Sequence, residues 1–531
     1  MRMRFVGRDE GLLNMSSKRE KQIPHPAKCA GIRDDKSGNT GILRCWPAPA
    51  SSELTGCRHS RVSGFALVVK FALAVALLGS ASAARAQKLQ MPPHEKVVLK
   101  NGLTVLLLEK HSVPMVSVAG IVKAGGLADP AGQEGLASTT AGLLRKGTKT
   151  RTAQQFAGDI DFIGGTFEAD AGADYSSFAA EFLSKDTVKG LELVSDAVLH
   201  ATFPQAEVDK LLAQSVDGVK AAKDSARDVI FEYYQGYLYN GKGYGRPTGG
   251  DENSLKKIQR DAIAKFYDTY YTPGNTILAV AGDFNSAEMK KKIEEVFGGW
   301  PAKVAPPVKE EATGPMKGKK LLLVNKADAT QTYFVIGNVG VSATDPDRVA
   351  IEVVNTVFGS RFTSMLNEAL RVESGLTYGA TSFFSLQKEP GPFAMFSFTR
   401  NETTGKAIDL TLEVLKNLHM NGLTAEQLSS AKSYLKGQFP PMIETSGQLA
   451  RLIVRYEFLG LDDNEVNQFE RRIDGVTGEM AKQAIARHFP LENLTFVLVG
   501  KSSEIAPMAK KYTEKQDAKE ISAPGFWTGA K

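Results

Sequence analysis

Two short apolar runs open the regular part of the chain. They span residues 96–100 and 104–108, and the pair Asn101-Gly102 lies between them. Asn-Gly between two β-rich runs is a strong hairpin signal, because both residues tolerate the positive φ of a tight turn. The sequence therefore predicts two antiparallel strands at the start of a domain.

Further strands and helices alternate along the first half. The apolar runs 116–122 and 276–280 indicate buried strands, and residues 188–200 and 254–271 have the spacing of helices. A mixture of this kind is typical of an α+β fold.

A proline-rich segment then interrupts the periodicity. Residues 301–307 contain three prolines, and the irregular composition continues through Pro315. Such a stretch is typical of a connector between domains. We therefore expect an N-terminal domain at 95–300, a linker at 301–317 and a C-terminal domain at 318–515.

The second half repeats the pattern of the first. New strands are predicted at 319–324 and 332–339, and residues 263–283 are echoed by residues 484–501. Both of these longer segments contain a helix, a Pro/Asn turn, a buried strand and a glycine. A duplicated domain is the simplest explanation.

The N-terminal region has a different composition. An apolar stretch at 65–79, interrupted by Lys70, precedes small residues at 80–86 that offer A-x-A cleavage sites. This pattern predicts a signal peptide at 62–86 and export to a bacterial periplasm. A membrane anchor is the alternative, but the uninterrupted segment 71–78 is far shorter than the roughly 20 apolar residues that span a bilayer. Residues 1–61 resemble neither a signal nor a domain and are unassigned, and we hypothesise that translation starts downstream, at Val62.

Charge and cysteine content narrow the functional classes. The chain has a net charge of +6, and the positive excess lies before residue 87, where fourteen Lys/Arg face six Asp/Glu. The near-neutral remainder lacks the basic footprint of nucleic-acid binding. All three cysteines, Cys29, Cys45 and Cys57, precede the predicted cleavage site, so the mature protein has no thiol chemistry.

Several blocks in this order resemble the pitrilysin/insulinase family of metallopeptidases. They are residues 99–105, 145–148, 244–247 and 270–275. The resemblance implies two homologous α+β domains, each a mainly antiparallel sheet packed with helices. It also implies that two such two-domain units enclose a chamber, each forming one half of a clam shell.

Active members of this family carry an H-x-x-E-H zinc motif on a helix of the first domain. The trailing Lys146-Gly147-Thr148 sets the register here and places Ser138 and Gly142 at the histidine positions and Ala141 at the base. The distal ligand region offers no Glu either, with Asp217 or Gly218 nearest the expected place. No two histidines after residue 86 are three to five residues apart, so this chain is expected to bind no metal and no other cofactor.

The second domain keeps a different pair of family residues. Arg371 and Tyr378 have the family spacing, and the resemblance implies that they bind the peptide backbone and stabilise the developing oxyanion. The alternative is structural, with Arg371 pairing with a nearby Glu such as Glu373 and Tyr378 beginning a strand.

The predicted function follows from the missing zinc ligands and from the presence of Arg371 and Tyr378. We expect a non-zinc subunit of a heterodimeric periplasmic metallopeptidase, inactive alone, whose zinc-bearing homologous partner binds the metal. Peptides are the expected substrates, and neither nucleic-acid binding nor stable membrane insertion is expected. Residues 165–178 could form a peptide-binding sheet edge or an ordinary amphipathic strand. A structural subunit or a chaperone-like peptide-binding protein is the alternative function.

Overall fold

The computed structural model describes residues 89–308 and 314–527. The unassigned region 1–61, the predicted signal peptide at 62–86 and the three cysteines lie outside the described residues. So do residues 309–313 of the predicted linker; its described parts, 301–308 and 314–317, have no regular secondary structure. Within the described ranges no helix is long and apolar enough to cross a bilayer.

The first half of the described chain forms a six-stranded, mainly antiparallel sheet. Its spatial order is β1-β2-β6-β3-β5-β4. The strands are β1 (Glu95–Val98), β2 (Thr104–Glu109), β3 (Met115–Val122), β4 (Thr166–Ala171), β5 (Ser176–Leu183) and β6 (Thr276–Gly282). The predicted hairpin is confirmed, because β1 pairs antiparallel with β2 and Gly102 has a φ of 94°.

The second half forms another six-stranded sheet, in the order β12-β7-β11-β8-β10-β9. The strands are β7 (Lys320–Asn325), β8 (Gln331–Val339), β9 (Ala380–Leu386), β10 (Pro390–Arg400), β11 (Thr495–Gly500) and β12 (Gln516–Glu520). The two orders correspond strand for strand in five positions. The echoed segments 263–283 and 484–501 supply β6 and β11, which occupy the same place in their sheets.

The sixth position differs between the sheets. In the first sheet it is filled from the N-terminal side by β1, which is antiparallel to β2. In the second it is filled from the C-terminal side by β12, which is parallel to β7. The second sheet therefore extends beyond residue 515, where the sequence predicts that the domain ends.

Helices cover the faces of both sheets. In the first half they are α1 (Leu136–Leu143), α2 (Ala153–Phe162), α3 (Thr187–Leu199), α4 (Gln205–Ala222), α5 (Ala226–Leu238), α6 (Arg260–Tyr270) and α7 (Ser286–Phe297). In the second they are α8 (Arg348–Asn355), α9 (Met365–Asn367), α10 (Thr404–Asn421), α11 (Ala425–Gln438), α12 (Ser446–Leu459), α13 (Asn464–Asn467), α14 (Phe469–Gly475), α15 (Gly478–His488) and α16 (Ser502–Ala509). The helix predicted at 254–271 is shorter than expected, because a separate 3₁₀ turn, Leu255–Lys257, precedes α6.

Two helices are exchanged between the halves. Helix α5 of the first half packs on β8 and β11 of the second sheet, where Tyr233, Tyr234 and Tyr237 are buried. Helix α12 of the second half packs on β3 and β6 of the first sheet, with Leu449 and Ile453 buried there. Both halves accordingly belong to one compact unit.

The C-terminal tail fastens α5 to the second sheet. Lys223 and Glu252 form a buried ion pair in the first half. The tail completes it, because Lys223 Nζ donates to the carbonyl of Ala523 at 2.8 Å and the N–H of Gly525 donates to Glu252 at 2.9 Å. Trp527 packs edge-on against Tyr237. Helix α5 and the C-terminal tail thus join the two halves.

Candidate functional site

Helix α1 carries the three positions of the family zinc motif. Its N-terminus is held by Asp129, whose carboxylate accepts the N–H groups of Gly135 at 2.8 Å and Ala137 at 2.9 Å. Burial raises the pKa of Asp129 to about 7. The helix is therefore well anchored, although its motif positions carry no metal ligands.

The side chains at these positions offer no imidazole or carboxylate to a metal. The hydroxyl of Ser138 donates to Asp170 on β4 at 3.3 Å, and Ala141 is buried in the core. A Cβ atom at Gly142 would lie 3.3 Å from Leu211 Cδ2 on α4, so a side chain there would require Leu211 to shift. The donors at these three positions do not fit zinc.

Helix α4 holds the region of the expected distal ligand. Gly218 lies on the same helical face as Leu211, because the two are seven residues apart, and it has no side chain to offer. Asp217 is exposed and pairs with Lys220 at 3.2 Å. The structure thus brings α1 and α4 together without a set of ligands between them.

One group of possible metal ligands lies elsewhere among the described residues. Asp345, Asp347 and His488 approach one another in the second half. Asp347 is already paired with His488 at 2.8 Å and with Arg487 at 3.0 Å, and the bond from His488 holds its pKa below the usual range. Sequence reasoning missed this group, because its members are far apart in the chain. We interpret it as an ion-pair cluster.

The segment of Arg371 follows α8 and contains two π-helical turns. They span Thr356–Ser360 and Glu368–Glu373, and α9 precedes the second. The backbone here packs closely against β9, since a Cβ at Gly359 would lie 2.1 Å from Ser382 Oγ. Thr381 donates to the carbonyl of Gly359 at 3.0 Å. π-Helical turns are rare and are frequently found at functional sites.

Buried hydrogen bonds also fix the return of the chain into β9. The carbonyl of Leu370 accepts the N–H groups of Leu376 at 2.9 Å and Thr377 at 3.3 Å. Asn367 Oδ1 accepts the N–H of Ala380 at 2.9 Å. The backbone on either side of Arg371 and Tyr378 is therefore held in place.

The side chains of Arg371 and Tyr378 themselves are not tied down by polar contacts. Within the described parts of the chain the Arg371 guanidinium has no carboxylate partner, Glu373 included, and donates no hydrogen bond. Its carbon Cζ lies 4.5 Å from the ring centroid of Phe362. Tyr378 is 81% exposed, and it precedes β9 instead of beginning it. Among the described residues, the five N–H donors of Arg371 and the hydroxyl of Tyr378 thus have no acceptor.

Each sheet also presents an edge. Strand β4 pairs with β5 on one side, and β9 pairs with β10 on one side. The predicted edge segment 165–178 consists of β4, a turn and the first residues of β5. Peptide binding at this edge stays a prediction.

Comparisons with known proteins agree on one family. Residues 104–252 match the family model "Insulinase (Peptidase family M16)", and residues 257–435 match the model "Peptidase M16 inactive domain". Together the two models cover most of the first half and the segment that carries Arg371 and Tyr378.

Individual proteins show the same similarity. The uncharacterized zinc protease YmxG of Bacillus subtilis is 24% identical over 396 residues, 73% of this chain and 95% of that protein. An uncharacterized zinc protease of Rickettsia bellii is 28% identical over 323 residues, 60% of this chain and 76% of that protein. A crystal structure of a peptidase M16 inactive domain from Pseudomonas fluorescens matches with a TM-score of 0.72 at 23% identity, covering 81% of this chain and 100% of that chain. A protease from Helicobacter pylori matches with a TM-score of 0.68 at 20% identity, over 77% of this chain and 99% of that chain.

Proposed function

Because the chain belongs to the pitrilysin/insulinase (M16) family of peptidases, we propose that it is the non-zinc subunit of a heterodimeric peptidase. In this proposal a homologous partner holds the zinc ion, and this chain supplies Arg371 and Tyr378. The two subunits enclose a shared chamber in which peptides are bound and cut.

The contrast between two surfaces carries the proposal. The motif positions on α1 hold Ser138, Ala141 and Gly142, and Leu211 lies beside Gly142. Arg371 has no polar partner among the described residues, and Tyr378 is exposed. A chain of this family that lacks metal ligands but presents free donors is suited to complete the active site of another subunit.

The chemistry assigned to the two side chains is donation to a peptide oxygen. The guanidinium of Arg371 is a permanent cation with several N–H donors, and Tyr378 offers one phenolic O–H. Both stabilise negative charge that develops on the carbonyl oxygen during hydrolysis. Removal of one such donor typically lowers turnover by about 10²–10³-fold.

The proposed location is the bacterial periplasm. It rests on the apolar run and the small residues at 65–86, which have the pattern of a cleaved export signal. N-terminal sequencing of the mature protein from a native host tests it. A mature N-terminus near residue 84 or 87 is expected, and a mature chain that retains residues 65–79 would contradict export by cleavage.

The proposed function is tested by peptide hydrolysis with added zinc. The purified chain is assayed alone, with a homologue from the same organism that carries the intact H-x-x-E-H motif, and with that homologue alone. Activity is expected in the mixture, well above the sum of the two separate assays, and about 10²–10³-fold lower with Arg371→Ala. Ser138→Ala serves as the matched control in the first half.

Two outcomes would overturn the proposal. Hydrolysis by this chain alone would show that it has its own active centre. Full activity of the mixture with both Arg371→Ala and Tyr378→Phe would show that the pair has no part in the reaction. Absence of activity in the mixture, together with tight peptide binding by this chain, would favour a chaperone-like role.

A further inference from the structure

The chain segment that carries Arg371 exposes three large aromatic or branched side chains. Phe362, Val372 and Tyr378 are 59%, 61% and 81% exposed. They lie within residues 362–378, and the part of each side chain that stays in water contributes no burial energy to folding.

Loose packing does not explain this exposure. Phe362 follows the first π-helical turn, whose Gly359 packs against Ser382, and Ser364 caps the next helical turn by accepting the N–H of Asn367. The carbonyl of Gly379, after Tyr378, accepts the hydroxyls of Thr377 and Ser397. The backbone is held in place near Phe362 and near Tyr378, so the fold itself determines that these side chains are exposed.

The ring of Phe362 makes the contact that holds the guanidinium. Arg371 Cζ lies 4.5 Å from the ring centroid, well within the range of a cation–π interaction. An unpaired arginine side chain on a surface otherwise samples many rotamers, and fixing it in the active complex costs conformational entropy. A ring contact reduces this cost before the substrate arrives.

A ring also differs from a carboxylate as a partner for arginine. A carboxylate such as that of Glu373 would accept N–H groups and compensate the positive charge. An aromatic face accepts no in-plane hydrogen bond and leaves both the charge and the donors available. The ring therefore orients the Arg371 guanidinium and leaves its N–H donors available.

We propose that Phe362 is a positioning residue that orients the Arg371 guanidinium for a peptide oxygen by stacking beneath it. This inference rests on the proposed function of Arg371, but the stacking itself is a property of the isolated chain. It can therefore be tested with and without the partner.

The first test uses the isolated chain. The side-chain Nε–H resonance of Arg371, assigned by its loss in Arg371→Lys, is recorded by NMR in the starting protein and in Phe362→Leu and Phe362→Tyr. A ring-current shift is expected in the starting protein, retained in Phe362→Tyr and lost in Phe362→Leu. An Arg371 resonance that is the same in all three would overturn the proposal, whatever the mixture does.

The second test uses the mixture with the zinc-bearing homologue. Phe362→Leu is expected to lower kcat/KM about 3- to 10-fold, mainly through kcat, because an oriented donor acts most in the transition state. Phe362→Tyr should restore the rate, and Val372→Ala, which removes an equally exposed neighbour, should change it less than 2-fold. Equal losses in Phe362→Leu and Val372→Ala, or a loss confined to KM, would overturn the positioning role.

The two proposals fail in different ways. If Arg371→Ala abolishes turnover and Phe362→Leu does not alter it, the function stands and the positioning role falls. If the mixture is inactive but the NMR shift depends on the ring, the proposed function falls and the stacking of Arg371 on Phe362 is established.

Discussion

The two halves of the molecule share a fold and differ in what they present at matching places. Helix α1 follows β3 and helix α8 follows β8, two strands that occupy the same place in their sheets. Helix α1 is regular, its motif positions are small, and Gly142 faces Leu211. Helix α8 continues into a π-helical turn and a segment that exposes Phe362, Val372 and Tyr378.

This difference shows that the scaffold of the first half tolerates small residues at the motif positions. Ser138, Ala141 and Gly142 still allow a capped, buried helix, because small residues satisfy its packing. The sheet beneath keeps its strand order. Chemistry depends on a few side chains, whereas the fold depends on the pattern of buried positions.

The largest expected effect concerns the buried ion pair Lys223–Glu252 beside α5, since the ion pair of α12 with the first sheet, Lys96–Glu457, is more exposed. Lys223→Met leaves Glu252 buried without its cation, and we expect a loss of about 3–5 kcal/mol in the free energy of unfolding. Chemical denaturation measures it. The double variant Lys223→Met/Glu252→Met should recover most of the loss; a double variant as unstable as the single one would show that the pair itself is not the cause.

The next effect compares the charges on α1 and α8. Helix α1 has no charged residue, whereas burial raises the pKa of Glu352 on α8 to about 7. The folded state therefore binds this proton more tightly than the unfolded chain, and its stability falls as pH rises from about 4.5 to 7. Glu352→Gln removes this pH-dependent loss of stability, because glutamine does not ionise. Its advantage in the free energy of unfolding should be absent near pH 4 and reach about 1–3 kcal/mol at pH 8.

Charged side chains near Glu352 also influence its pKa. Arg472 and Arg348 lower its pKa and Glu465 raises it, but burial is the largest influence. Thermal unfolding at pH 4, 6 and 8 compares the two proteins. An advantage of Glu352→Gln that is the same at all three values would contradict a pH-linked origin.

A smaller effect distinguishes the exchanged helices. Thr445 caps α12 in a capping box with Gln448, whereas Ser225 at the start of α5 makes no side-chain capping bond. We expect Thr445→Ala to cost about 1 kcal/mol and Ser225→Ala to cost less than about 0.5 kcal/mol. Equal costs, measured by chemical denaturation, would mean that the caps do not distinguish these helices.

The smallest effect is expected at the motif position in the first half. Ser138 makes one long hydrogen bond, at 3.3 Å, to Asp170. Ser138→Ala should change the free energy of unfolding by less than about 1 kcal/mol and leave turnover of the mixture unchanged. A loss of turnover of more than 10-fold would show that α1 takes part in the reaction.

Local patterns in the sequence predict much of this architecture. The Asn101-Gly102 pair predicts the hairpin, because its turn depends on adjacent residues. The echo of 263–283 in 484–501 predicts that β6 and β11 occupy equivalent places, because a duplicated segment carries its hydrophobic pattern with it. These predictions are confirmed by the strand orders.

Contacts between distant segments are not predicted. Nothing in the sequence of α5 shows that its tyrosines pack on the sheet of the other half, since a buried stripe does not identify what covers it. Strand β12 was missed because the sequence of Gln516–Glu520 is polar and lacks a strand pattern. The stacking of Arg371 on Phe362 was missed because sequence proximity favoured Glu373 as its partner.

The exchange of α5 and α12 makes the chain comparable to a swapped dimer whose two copies are joined end to end. In a swapped dimer each copy completes the core of the other, so neither is complete when separated. Separation of the two described halves would pull each helix from its sheet, so the halves are expected to move together. In the proposed two-subunit peptidase, the opening that admits a peptide would accordingly lie between the subunits.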